Sequence, residues 1–306
     1  MLRSFVVFLL SLLIFSQSLR AQDSISNTPK SQLNKKKLAL VIGVHSAIYI
    51  GGIAYLAESW YKDDVPRVPF EFYNDNAGYL QIDKLGHAYG AYVESLLSYS
   101  ALRNAGVKKK QALIFGGPMG LLLQTPIEVF DGLYEGWGFS KGDMIANAAG
   151  SALFIGNEIL FDEQLIRYKF SYWHSKYARD ANGYLGDNAL QGLLYDYNGH
   201  TYWLSAGVNK IFFTTKFPPW LSLAAGYSAN GMFGEFENLK SYRRVAIPET
   251  QRYRQFLLSP DIDWTKIPTK SKFLKALFKA MVFIKVPLPA LELNNQGEMK
   301  AYWLYF

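Results

Sequence analysis

The sequence predicts an α+β protein: an N-terminal helical bundle of membrane type, followed by an aromatic-rich antiparallel β region that is either an open sheet or barrel-like. Three observations carry this expectation. Between about residues 38 and 165, segments of helical length hold few charges and many small residues. From about Ile166 onward the pattern changes to short aromatic and β-branched runs separated by Gly, Asn and Pro. Across all 306 residues, 50% are hydrophobic and 16% aromatic, while only 19% are charged, below the roughly 25% of ordinary soluble domains.

The first 22 residues have the order of a secretory signal: Arg3, an apolar run from Phe5 to Phe15, the polar Ser16-Gln17-Ser18, and the small Ala21 before the mature chain. The apolar run is short for a bilayer span of about 20 residues, so cleavage is expected just after Ala21 or Gln22. Residues 23–37 then form a polar linker ending in Lys35-Lys36-Lys37, residues 38–165 the helical module, and residues 166–306 the β-rich region.

Each helix has its own signal. Leu38 to Ala57 contains no Asp, Glu, Lys or Arg and is long enough to cross a bilayer; His45 inside it reads as a packed or hydrogen-bonded bundle residue. Residues 62–82, rich in Pro, Asp, Asn and aromatics, read as a loop. A second helix is expected from about Asp83 to Asn104, ended by Ala105-Gly106. A third is expected over about Lys109–Leu133, kinked at Pro118 and Pro126, and a fourth from about Ser140 to Phe161. Gly116, Gly117, Gly120 and the Ala146–Gly150 stretch let helix backbones approach closely.

In the β region the expected strands are Tyr168–Trp173, Thr201–Phe213, Trp220–Ala229, Tyr253–Trp264 and Met299–Phe306, with a short amphipathic helix over Phe273–Phe283. Five or six strands fall short of the eight of a small barrel. A sheet packed on the helices is therefore preferred, with barrel-like closure as the alternative.

Composition excludes several chemistries. Without cysteine there is no disulfide, thiolate metal site, cysteine nucleophile or acylated cysteine. The formal charge of +7 loses two units when Arg3 and Arg20 leave with the signal. The basic runs Lys35–Lys37 and Lys108–Lys110 flank apolar segments, as membrane-edge anchors do. The expected partners are therefore membrane lipid and other envelope proteins, and not nucleic acid. A Gly-x-Ser-x-Gly elbow, a P-loop and a dinucleotide fingerprint are all missing, so no cofactor is expected.

One polar constellation interrupts the apolar helices. Asp83 and His87 are four apart, and Glu94 lies seven beyond His87 on the same stripe. Glu128 and Asp131 are three apart, and Asp143, Asn147 and Gly150 follow at intervals of four and three. Ionisable groups in such segments are costly and mark either a site or a structural lock. As a site, His87, Glu128, Asp131 and Asp143 are the candidates for acid–base or metal-binding groups; hydrolytic metal chemistry needs about three protein ligands and an open position. As a lock, Asp83 caps the second helix, Ser140 with Asp143 forms a capping box, Lys84 neutralises a neighbouring carboxylate and Asn147 bonds across helices. The lock is the preferred reading, and a non-enzymatic role with it.

The ordered motifs Asp83-Lys84-x-Gly86-His87, Glu128-x-x-Asp131 and Gly138-Phe139-Ser140-x-x-Asp143, with Asn147 and Gly150, resemble the YfiM-like family of envelope proteins, a domain of unknown function. A looser likeness links them to VanZ-like membrane proteins. The resemblance covers about residues 80–160 and implies export and a helical membrane-edge module, with no established reaction. The terminal Ala301-Tyr302-Trp303-Leu304-Tyr305-Phe306 resembles the last strand of bacterial outer-membrane barrels. The expected function is that of an exported cell-envelope protein, at the outer membrane or the periplasmic side of a membrane, with a structural or assembly role. The alternative is a membrane-edge enzyme acting on lipid or cell-wall precursors through a His/carboxylate site.

Overall fold

The computed structural model describes residues 33–59 and 66–306. The expected signal peptide and most of the linker lie outside the described residues. The chain divides into a helical unit, covering the described residues up to Asp75 together with His87–Glu163, and a β unit, covering Asn76–Gly86 with Gln164–Phe306.

The helical unit begins with α1 (Lys35–Ser59). His45 on α1 hydrogen-bonds the Val41 carbonyl at 2.8 Å and Ser98 Oγ at 3.1 Å, as expected of a bundle histidine. After strand β1 (Phe72–Tyr73) comes α2 (Ile82–Asn104), whose first turn groups with the β unit. The third expected helix is two: α3 (Lys109–Gly116) and α4 (Met119–Asp131), parted at Gly117-Pro118, where proline withholds the N–H that a continuous helix requires. Pro126 sits inside α4 without ending it. The whole stretch Lys109–Asp131 is, among the described residues, long and apolar enough to cross a membrane by length and composition alone. Strand β2 (Phe139–Ser140) pairs in parallel with β1 and leads into α5 (Lys141–Leu160).

Glycine sets the helix spacing. A Cβ on Gly120 would lie 1.9 Å from the Ala91 carbonyl oxygen, and one on Gly150 would lie 1.9 Å from that of Ala88. Both α4 and α5 therefore touch the backbone of α2, the close approach that small residues permit. At the β1–β2 pairing, Phe70, Phe72 and Phe139 form an aromatic cluster with centroids 5.4–5.6 Å apart, and Gly138 leaves room for Tyr73, whose Cβ would be 2.5 Å from an added Cβ.

The β unit contains β3 (Ile166–Tyr172), α6 (Ala189–Tyr195), β4 (His200–Gly207), α7 (Val208–Ile211), β5 (Leu221–Asn230), a small hairpin of β6 (Ser241–Tyr242) and β7 (Val245–Ala246), β8 (Tyr253–Ile262), α8 (Lys272–Ala280), β9 (Leu288–Asn294) and β10 (Met299–Tyr305). Six strands form one antiparallel sheet in the order β10-β9-β8-β5-β4-β3. Its edges, β3 and β10, do not pair with each other, so among the described residues the barrel-like alternative is corrected to an open sheet. Trp173 and Phe306, one residue beyond each edge strand, nevertheless stack with centroids 4.2 Å apart.

Two strand expectations also change. The run expected to reach Phe213 ends at Gly207 and turns into α7. β9 was hidden by Pro287 and Pro289; its ladder with β8 runs only from Asn294 to Leu291, so neither proline interrupts that pairing.

The faces of this sheet are inverted relative to a soluble half-buried sheet, which buries its apolar face. The register puts Lys169, Ser205, Asp261, Gln255 and Glu292 on the buried face, around a small core of Trp203, Ala224, Leu257 and Ala290. The opposite face shows Leu204, Phe256, Leu258, Leu291 and Leu293 about half exposed, and Trp303 on β10 is 90% exposed.

A strap over residues 78–86 belongs to this unit. Tyr79, Leu80 and Gln81 are all left-handed, with φ of 45°, 50° and 69°, a conformation that disfavours side chains carrying Cβ. Four bonds hold it. Tyr79 N donates to the Glu235 carbonyl at 2.7 Å, and Arg254 Nη2 donates to Gln81 Oε1 at 2.9 Å. Tyr227 and Tyr168 hydroxyls donate to the Leu80 and Leu85 carbonyls at 2.5 and 3.0 Å.

Candidate functional site

His87 lies one turn into α2 and is 2% exposed. Its Nδ1 is 3.3 Å from Asn147 Oδ1 and 3.9 Å from Glu128 Oε1, and its Nε2 is 3.5 Å from Asp143 Oδ1. Three helices thus supply four groups to the same point: α2 the imidazole, α4 Glu128, and α5 both Asp143 and Asn147. Nδ1 faces the Asn147 amide oxygen and the Glu128 carboxyl, and Nε2 faces the Asp143 carboxyl.

The surrounding polar atoms tie this cluster to the helix ends. Ser140, the N-cap of α5, accepts a hydrogen bond from Asp143 N at 3.0 Å through its Oγ. The same hydroxyl donates to Asp75 Oδ1 at 2.6 Å, and Ser140 N donates to Glu128 Oε2 at 3.4 Å. The capping half of the lock is therefore present at α5. At α2 it is corrected: the helix starts at Ile82, so Asp83 stands inside the first turn rather than at the cap. It pairs with Lys84, Nζ to Oδ2, at 3.0 Å.

The remaining motif residues are structural in placement. Gly86 lies between Asp83 and His87 on α2, Gly150 provides the close crossing of α5 over α2, Gly138 and Phe139 build the β1–β2 contact, and Asp131 closes α4 half-buried. Glu94 forms a further buried contact two turns along α2. Its Oε2 accepts from Gln124 Nε2 at 3.3 Å, while its Oε1 and Gln124 Oε1 have no hydrogen-bond partner among the described residues. Burial raises its carboxyl to about 8, partly opposed by the Gln124 bond, so Glu94 is largely neutral at neutral pH.

Sequence reasoning missed five members of this network: Gln124, Ser95, Ser151, Tyr99 and Glu158. Ser95 Oγ donates to Ser151 Oγ at 3.1 Å, and the two hydroxyls accept from Gly120 N and Leu121 N at 3.2 and 3.0 Å. Tyr99 donates to Glu158 Oε2 at 3.0 Å. Extending the helical stripes would have found them: Gln124 is four before Glu128, and Ser151 is four after Asn147.

A second buried polar group lies in the β unit and was not foreseen at all. Lys169 Nζ and Asp261 Oδ2 are 2.6 Å apart with both side chains fully buried. Ser205 Oγ donates to the same oxygen at 2.6 Å, and Lys169 Nζ donates to the Ile262 carbonyl at 2.7 Å. Burial lowers the Lys169 ammonium from its ordinary value, and Asp261 opposes that shift. Lys285 stands 5.1 Å above the Trp203 ring and is lowered to about 8, chiefly by burial.

Comparison with known proteins adds one finding. Residues 71–156 are similar to the model of a family described as "Predicted periplasmic lipoprotein", a domain of unknown function. That stretch contains β1, α2 to α4, β2 and most of α5, and so holds the whole His87 cluster. The similarity supports an exported, periplasm-facing envelope location. No curated protein and no solved structure matches the chain.

Proposed function

We propose that this is a cell-envelope protein with a structural or assembly role, in which His87 and its carboxylates act as an internal lock that fixes three helices. The observation that carries this reading is burial combined with convergence: polar groups from three helices meet in one closed interior. His87, Glu128 and Asp143 are closed off from solvent, Ser140 and Asn147 bind the same groups, and the glycine contacts leave α2 no freedom to slide. Replacing one member takes a partner from a buried polar cluster, which is destabilising. The likeness of the motifs to YfiM-like proteins and the similarity to a periplasmic family support the location.

The test replaces His87 by Ala and Asp143 by Asn, singly, and measures abundance and membrane fractionation of the full chain in its host. Parallel loss of abundance is the expected result. Full abundance and folding with a lost phenotype would overturn the lock.

One observation favours a second reading. His87 Nε2 lies 3.5 Å from Asp143 Oδ1, with Glu128 Oε1 3.9 Å from its other ring nitrogen, a donor set of imidazole and carboxylates that suits a divalent cation in an oxygen-rich shell. A bound ion there would support a membrane-edge enzyme acting on lipid or cell-wall precursors. Metal analysis of the purified chain distinguishes the two: a stoichiometric ion lost in His87→Ala supports the site, and a metal-free chain with native stability supports the lock.

A further inference from the structure

We propose that the β unit docks on a bilayer rich in anionic lipid through helix α8. The inference rests on the envelope location proposed above and names the surface and the lipid chemistry involved. Helix α8, Lys-Phe-Leu-Lys-Ala-Leu-Phe-Lys-Ala, is divided sharply into two faces. Phe273, Leu274 and Leu277 share one side and are 74%, 37% and 42% exposed. Lys272, Lys275 and Lys279 share the other, since positions three and four apart fall on one face. Phe278 anchors the helix by packing on Trp264, with ring centroids 5.6 Å apart.

Apolar residues held in water on one face of a lysine-rich helix are the pattern of a helix lying in the plane of a membrane interface. Charge decides the lipid. From Trp264 to Leu291 the sequence holds six lysines and no Asp or Glu, and each lysine near an anionic surface gains about 1 kcal/mol. A second copy of this chain would bring the same lysines against each other, which argues against self-association through α8.

The sheet supplies an independent reason for a lipid surface. Its buried face is polar and its apolar face is exposed, the alternation of a lipid-facing sheet rather than a water-facing one. Open strand edges are not tolerated within hydrocarbon, and β10 ends the sheet as an edge strand. The contact is therefore with the bilayer surface.

The experiment is vesicle co-flotation of the purified full chain, comparing neutral phosphatidylcholine vesicles with vesicles containing about a third anionic phosphatidylglycerol. Expected are binding to the anionic vesicles, weakening with added salt, and a loss on the order of 100-fold when Lys272, Lys275 and Lys279 are all replaced by Gln, from about 1 kcal/mol for each lysine. Phe273→Asp with Leu277→Asp removes binding while circular dichroism stays native, because both side chains are exposed. Equal binding to both vesicle types, binding unchanged in the lysine variant, or no flotation at all would each overturn the proposal. A chain that binds anionic vesicles but fractionates away from membranes in its host leaves the docking surface standing and removes the envelope reading. A membrane-fractionating chain that ignores the vesicles does the reverse.

Discussion

The helical unit and the β unit both bury polar groups and expose apolar ones, yet they stabilise those polar groups differently. In the helical unit the interior holds a ladder of partly satisfied single groups: His87 among three partners, Glu94 with one bond, and serine hydroxyls bridging to backbone N–H groups. Close glycine crossings hold the helices at the distance where those bonds can form. In the β unit one full ion pair, Lys169–Asp261, sits at zero exposure, and strand pairing holds it in place. The helical ladder tolerates neutral members, as Glu94 shows. The strand pair does not, because either partner alone is an uncompensated charge.

The sharpest way to break this contrast is Asp261→Ala. With Lys169 left fully buried and without its ion-pair partner, the expected loss is about 3–5 kcal/mol, read as a fall in the denaturant midpoint. The paired change Lys169→Met with Asp261→Leu is expected to restore most of it. If the single variant cost no more than a surface substitution, the ion pair would not anchor this sheet.

Glu94 gives the opposite sign of charge dependence. Its carboxyl is raised in the folded state from an ordinary 4.5 to about 8, so between those values the unfolded chain has released a proton that the folded chain retains. The folded state is favoured at the acid end, and stability falls as pH rises through this window, by on the order of a few kcal/mol. Glu94→Gln keeps the shape and the Gln124 contact but carries no titrating proton. The variant is therefore expected to flatten the stability profile from about pH 4.5 to 8, measured by denaturation at stepped pH. A wild-type profile already flat there would place Glu94 in an environment that hydrates it.

How far each unit could be read from sequence follows the same division. Helical stripes are local: Asp83, His87 and Glu94, or Asp143 and Asn147, show their shared face within one or two turns, and the structure brings His87, Glu128, Asp143 and Asn147 together. The cap at Ser140 was equally local. By contrast, Lys169 and Asp261 are joined through β4 and β5, which lie between them in the sheet order, and no short-range pattern reveals that register. β9 was missed because two prolines sit in its approach, and the break between α3 and α4 was expected only as a kink because proline marks a disturbance without saying how large it is. The inversion of the sheet was legible in part, since Leu-Glu-Leu-Asn in β9 alternates. Alternation alone does not say which face is buried.

The glycine crossings sharpen the comparison at smaller magnitude. Gly120→Ala places a methyl against the Ala91 carbonyl and forces α4 away from α2, with an expected cost of about 1–3 kcal/mol. Gly156, on the same helix as Gly150 but with open space at its Cβ position, is the control: Gly156→Ala is expected to be neutral or slightly stabilising, because alanine is the better helix former. Equal effects at both positions would mean that helix propensity, not interhelical distance, governs the glycine usage.

The smallest expected effect is at Ser140, where capping and the His87 cluster meet. Ser140→Ala removes the acceptor for Asp143 N and the donor to Asp75 Oδ1, at a cost of about 1 kcal/mol for the cap. Ser140→Thr keeps both functions and is expected to keep the stability. What makes the pair informative is the position of Asp143, whose backbone the cap fixes while its side chain faces His87. If the cap serves only the helix end, Ser140→Ala and His87→Ala add independently; if it positions the carboxylate for the imidazole, the double variant loses less than the sum of the two. A double-mutant cycle on denaturant midpoints reads that difference directly, and a coupling of zero would separate the start of α5 from the buried cluster beside it.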